Sequence, residues 1–163
     1  MKLTAKIKLQ PSPLQRVALL QTLQRVNAAC NLASAWAWQN KTFGQYKIHR
    51  GVYDLKERFS LSQVVVRAVS KVADAYKLDK KTIRKFRPLG SIAYDNRILR
   101  FDLTEGVVSI WTIEGRLIIP FVCGEYQSGL LAHQKGESDL AYIKGEFYRH
   151  VTCLICPSWS LRG

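Results

Sequence analysis

The sequence predicts an α+β fold: a small β-barrel with a helical domain inserted after its first strand. Three observations predict it. Residues 2–9, KLTAKIKL, alternate apolar and polar with period two, the pattern of a half-buried strand. From about residue 12 to about residue 86 the chain reads as a block of helices, two of them with a clear helical apolar seam. Beyond Pro88 the period returns to two, in runs parted by tight-turn signals. A strand, a helical block and then several strands is the order expected when helices interrupt a small barrel.

In the first strand Leu3, Ala5, Ile7 and Leu9 share one side and Lys2, Thr4, Lys6 and Lys8 the other. Pro11-Ser12-Pro13 stops it, and Ser12 followed by Pro13 is a helix-start signal. A helix over 14–39 carries the apolar seam Leu19, Leu23, Val26, Cys30, Ala33, Ala37. Gln24, Asn27 and Asn31 lie off that seam and read as solvated polar residues, with nucleic-acid contact the lesser alternative. Residues 41–44 break the pattern, and 49–58 reads as a short polar helix. A further helix over 61–77 takes Ser60 or Ser62 as its N-cap and turns Val65, Ala68, Val69, Val72, Ala73 and Tyr76 inward. Its Val64-Val65-Val66 run resembles a strand, but the helical seam continues for three turns.

Strands are expected at 97–103, 107–113, 116–123, 140–143 and 146–155. Glu114-Gly115 and Lys144-Gly145 supply hairpin turns, and Pro120 marks an edge or a bulge. Residues 124–137 form a connection with a short helix around 127–133. The domain reading is therefore a first barrel strand at 1–11, inserted helices at 12–88, the remaining barrel at 89–155 and an irregular tail at 156–163.

Charge is unevenly spread. Residues 1–90 hold 18 Lys and Arg against 4 Asp and Glu, a net of +14, whereas residues 91–163 carry a net of −1. So one-sided a field favours a polyanion. The densest stretch is KLDKKTIRKFRP, residues 77–88, with six positive charges and one negative. Lys77, Lys80, Lys81, Arg84 and Lys85 have the spacing of one helix face, and Arg87 precedes the helix-ending Pro88. Such a face repels itself unless a partner relieves it. Only Leu78, Ile83 and Phe86 lie opposite, too little for a membrane-surface helix, so nucleic acid is the better partner. No apolar run reaches the length of a membrane span and no signal peptide opens the chain, which reads as cytoplasmic.

The four cysteines form one C-x-x-C, Cys153 and Cys156, with no second pair or suitably spaced histidine. They read as buried or incidental thiols rather than as a metal centre. Trp36, Trp38, Tyr94 and Trp111 have faces on which bases could stack, but each fits core or hairpin packing better.

Five segments in order, KLQPSPLQRVALLQTLQRVNAACNLAS, LSQVVVRAVSKVADAYK, SIAYDNRILRFD, IWTIEGRLIIPFVCGEY and GEFYRHVTC, resemble the opening half of TnpB-type proteins. These are the transposon-encoded, OrfB-type transposases related to type V CRISPR effectors. The resemblance implies a wedge barrel like an oligonucleotide-binding fold, a helical recognition domain, and guide RNA and target DNA as partners. It further implies that Ser62, Gln63 and Arg67 face a short DNA motif. On this view Lys77, Lys80, Lys81, Arg84, Lys85 and Arg87 position a phosphate backbone. TnpB-type proteins cut DNA with divalent metals held by acidic residues of a following RuvC domain. The first of those lies in a Gly-x-Asp-x-Gly-like strand, and here Cys153 is followed instead by LICPSWSLRG. Asp54, Asp74, Asp79, Asp95, Asp102 and Asp139 are dispersed. The expectation is a non-catalytic, cofactor-free chain truncated before its nuclease domain. The alternatives are an inert gene remnant or one half of a nuclease completed by a separately encoded chain.

Overall fold

The computed structural model describes residues 2–53, 62–94, 99–102, 105–122 and 134–154, with backbone alone at 2–3, 62–63, 99–102, 134–137 and 151–154. Three helices and seven strands are formed there: β1 (Lys2–Leu9), α1 (Pro13–Asn40), α2 (Gln45–Gly51), α3 (Ser62–Leu78), β2 (Ile92–Tyr94), β3 (Leu99–Asp102), β4 (Val107–Thr112), β5 (Gly115–Val122), β6 (Gln134–Ile143) and β7 (Glu146–Leu154). The fold is thus mixed helix and sheet. It divides into two compact units, one of residues 1–18 and 93–163, the other of residues 19–92. Among the described residues no helix is long and apolar enough to cross a membrane.

In the first unit the strands form one sheet in the order β2-β6-β7-β1-β5-β4-β3. β1 lies between two strands that follow it by more than a hundred residues. It pairs antiparallel with β7 from Lys2↔Leu154 to Lys8↔Tyr148, and with β5 at Lys8↔Val122 and Leu9↔Phe121. The alternation read from the sequence decides which face turns inward. Ala5, Ile7 and Leu9 are wholly buried, with Val108, Ile110, Ile119, Leu140 and Phe147, and Phe121 is largely so. Thr4, Lys6 and Lys8 are exposed on the other face.

The β6–β7 turn is Lys144-Gly145, both at positive φ, 50° and 84°, as a two-residue hairpin turn of matching twist requires. The β4–β5 turn is Ile113-Glu114, one residue earlier than expected, with Gly115 already paired to Thr112. Pro120 sits where β1 leaves β5: its carbonyl accepts from the Gln10 N–H at 2.8 Å, and beyond it no β1 residue requires a donor.

Two features of the sheet differ from expectation. β2 is a short strand that the sequence pattern did not disclose, because three residues are too few to establish a period. β6 begins at Gln134 rather than 140, and its register shifts between Gln134 and Ser138. A bulged strand tolerates the polar, glycine-containing QKGES that reads as a loop. The expected helix around 127–133 lies outside the described residues.

Ser12 and Gln15 start α1 with a capping box. Gln15 N–H donates to Ser12 Oγ at 3.2 Å, and Ser12 N–H donates to Gln15 Oε1 at 3.0 Å, with Pro13 at the first helical position. Arg16 then donates to the Gly145 carbonyl at 2.8 Å and lies over the Phe147 ring, which ties the first turn of α1 to the β6–β7 hairpin.

In the second unit the whole apolar seam of α1 is buried, together with Ala29. So is the inward face of α3, including Val64, Val65, Ala68, Val69, Val72, Ala73 and Tyr76. The short polar helix begins earlier than expected, at Gln45 directly after the extended Gly44, and ends at Gly51. It contributes buried Ile48. Its expected continuation over 54–58 lies outside the described residues.

Candidate nucleic-acid interface

α3 stops at Leu78, so the expected helical face over Lys77–Lys85 does not form. The residue that ends it is Asp79. Its carboxylate accepts the Lys81 N–H at 2.8 Å and the Thr82 hydroxyl at 3.0 Å, a local turn that competes directly with helix continuation. These bonds, the backbone one first, hold the Asp79 carboxyl below its ordinary range, with Arg84 adding a smaller pull. A helix would also have stacked five like charges on one face. The turn separates them.

Beyond the turn the chain runs as a strap across polar side chains of α1. Ser34 Oγ donates to the Arg84 carbonyl, and the Arg84 N–H donates to the Tyr76 hydroxyl at 3.2 Å. Asn31 holds both backbone groups of Phe86: its Oδ1 accepts the N–H at 2.8 Å and its Nδ2 donates to the carbonyl at 3.0 Å. Asn27 Nδ2 donates to the carbonyls of Pro88 at 3.2 Å and Gly90 at 2.9 Å. The contacts fall on residues 84, 86 and 88, and both backbone groups of one residue face the same way. That is the signature of extended backbone. The ladder works because helix spacings of four and three residues, about 6 and 4.5 Å of rise, approximate two extended residues, about 6.6 Å.

Lys71 of α3 completes the attachment. Its ammonium donates to Asn27 Oδ1 at 2.6 Å and to the Ser91 carbonyl at 2.7 Å, and lies 5.3 Å from the centre of the Phe86 ring. The reading of Asn27 and Asn31 as solvated residues is therefore corrected. Asn27 is wholly buried, and both are structural partners of the strap backbone. The discoverable signal was Asn27, Asn31 and Ser34 at four- and three-residue intervals, a polar row running beside the apolar seam.

This arrangement sorts the expected contact residues. Lys80, Lys81, Lys85 and Arg87 are exposed. Lys85 and Arg87 alternate with the inward Arg84 and Phe86 and so share the outer side of the strap with Ile83. Arg84 leans back to Asp79 at 3.7 Å, and Lys77 pairs with Asp74 at 3.4 Å. Arg67 is half-buried on α3. The side chains of Ser62 and Gln63 lie outside the described residues.

Elsewhere, the outer face of the first unit carries a smaller basic and aromatic row, in which Lys6 opposes His150 and Lys8 opposes Tyr148. The Lys6 ammonium lies 4.4 Å from the centre of the Tyr148 ring. Of the aromatic residues with a stacking alternative, Tyr94 is buried, donates to the Trp111 carbonyl at 2.8 Å and lies under Arg149. Trp38 has the Lys41 ammonium 3.4 Å from its ring centre. Trp36 packs so closely on Gly51 that a Cβ there would overlap its ring. Among the described residues no three His, Cys, Asp or Glu side chains gather as metal ligands would. No family model and no curated protein matches this chain.

Proposed function

We propose that the chain binds nucleic acid, guide RNA and target DNA, as the opening portion of a TnpB-type protein, and that it does not cut DNA by itself. The observation that carries the binding is the turn and strap together: four exposed cations, Lys80, Lys81, Lys85 and Arg87, on a segment whose one acidic residue, Asp79, is occupied by its own turn. Lys and Arg on a held backbone suit phosphate contact, which positions a strand without reading its bases. The TnpB-type identity rests on the five sequence segments, and with it the roles of Ser62, Gln63 and Arg67 towards a target motif.

A salt titration of binding to single-stranded RNA and to duplex DNA tests this. Affinity falls linearly in log–log form, with a slope of about −0.7 to −0.9 for each phosphate neutralised. No binding at low salt, or binding indifferent to salt, overturns the reading.

A further inference from the structure

We infer that Asn27, Asn31 and Ser34 are positioning residues for a phosphate backbone: they hold the strap extended so that Lys85 and Arg87 stand on one edge as a ready-made row. The inference rests on the nucleic-acid reading above and deepens it. Two residues of extended chain separate the bases of these two side chains by about 6.6 Å, a spacing suited to neighbouring phosphates of one strand. A loose basic segment of the same composition also attracts polyanions. It must, however, be ordered on binding, at roughly 1–2 kcal/mol of backbone entropy per residue. Here the ordering is already supplied in the folded unit. Asn31 pairs with both backbone groups of Phe86, the residue between the two cations. Asn27 holds the carbonyls on the far side, and Lys71 fastens Asn27 in turn.

Positioning and charge separate experimentally. The probe is a fluorescent single-stranded RNA of mixed sequence, titrated against the full chain over a series of salt concentrations. Lys85→Gln with Arg87→Gln makes the log–log slope shallower by about 1.4 units, the value for two phosphate contacts on a single strand. Asn31→Ala leaves every charge in place. It keeps the wild-type slope, lowers affinity about tenfold at each salt concentration, and speeds hydrogen exchange at the Phe86 amide while leaving the α1 and α3 amides protected. The tenfold loss corresponds to re-ordering roughly one residue of the strap.

Three results overturn the inference. One is wild-type affinity for Asn31→Ala despite faster Phe86 exchange; another is unaltered Phe86 exchange; the third is a wild-type slope for the double charge variant. Asn31 is exposed, so its truncation leaves the helix pair packed. If that variant failed to fold, a wild-type slope for the charge variant, altered only at exposed positions, would still overturn the inference. Failure of wild-type protein to bind the RNA instead removes the nucleic-acid reading itself.

Discussion

Arg149 is the one wholly buried charged residue among those described. It projects inward from β7 between Ile7 and Leu140, with the Tyr94 ring centre 4.6 Å from its guanidinium carbon. One nitrogen donates to Ser138 Oγ, while Nε and Nη1 have no hydrogen-bond partner. Burial pushes the guanidinium down from its ordinary value to about 10, which means that these surroundings disfavour its charge. The penalty is present at neutral pH and is relieved as pH rises from about 10 towards the ordinary guanidinium value. Arg149→Met is therefore expected to raise the unfolding free energy by about 1 kcal/mol or more, since apolar replacement of buried charge is often stabilising. Urea denaturation at neutral pH checks it; a lower midpoint would show that Ser138 and Tyr94 more than offset the desolvation.

Cys30 makes the opposite case. Its thiol is buried against the Ala68 carbonyl and is pushed up to about 12 by desolvation, against a smaller opposing pull from Lys71. A raised acid pKa contributes stability that is complete below the ordinary value of 9 and is lost as pH rises towards about 12. The Cys30 peptide should remain unlabelled by iodoacetamide at pH 8 in native protein and become labelled in urea, as read by mass spectrometry. Labelling in native protein would show that this core opens.

Among the elements, α1 has the clearest local logic. Its capping box satisfies two N-terminal donors or acceptors reciprocally, and Gln15 Nε2 also reaches the Ile118 carbonyl at 2.9 Å. Ser12→Ala is expected to cost about 1 kcal/mol, within the usual 0.5–2 for such caps, whereas Ser12→Asp should restore most of it. Chemical denaturation of the two variants side by side measures the difference. No loss in Ser12→Ala would mean that the cap contributes nothing, and an equal loss in both would mean that Asp cannot replace the Ser12 hydroxyl. The strap illustrates a different balance. Its residues have a plausible helical spacing, but Asp79 offers a competing local turn, and α1 and α3 offer its backbone partners that solvent would otherwise supply. Helical spacing does not disclose the strap because its α1 partners lie fifty residues or more away in the sequence.

For the molecule as a whole, the described aspartates bear on chemistry. Asp74 pairs with Lys77, Asp79 is committed to its turn, and Asp139 lies opposite His150 on the outer face of the sheet. Single- and double-stranded DNA should remain intact when incubated with the purified chain and magnesium or manganese, with or without RNA. Cleavage that persists through repurification and disappears on substituting an aspartate would overturn the non-catalytic reading.

Periodicity by itself determined the strand at 2–9 and its inward face, the seams of the two long helices, the capped start of α1 and the β-rich second half. Each depends on contacts a few residues apart or on one face being apolar, and both leave a mark in the local pattern. The short β2, the bulged start of β6, the course of residues 79–90 and which of the later strands flank β1 were decided only in three dimensions. So were the roles of Asn27, Asn31 and Arg149. Their hydrogen-bond partners are distant in sequence, and a polar side chain looks the same in a sequence whether it faces water or holds another segment's backbone.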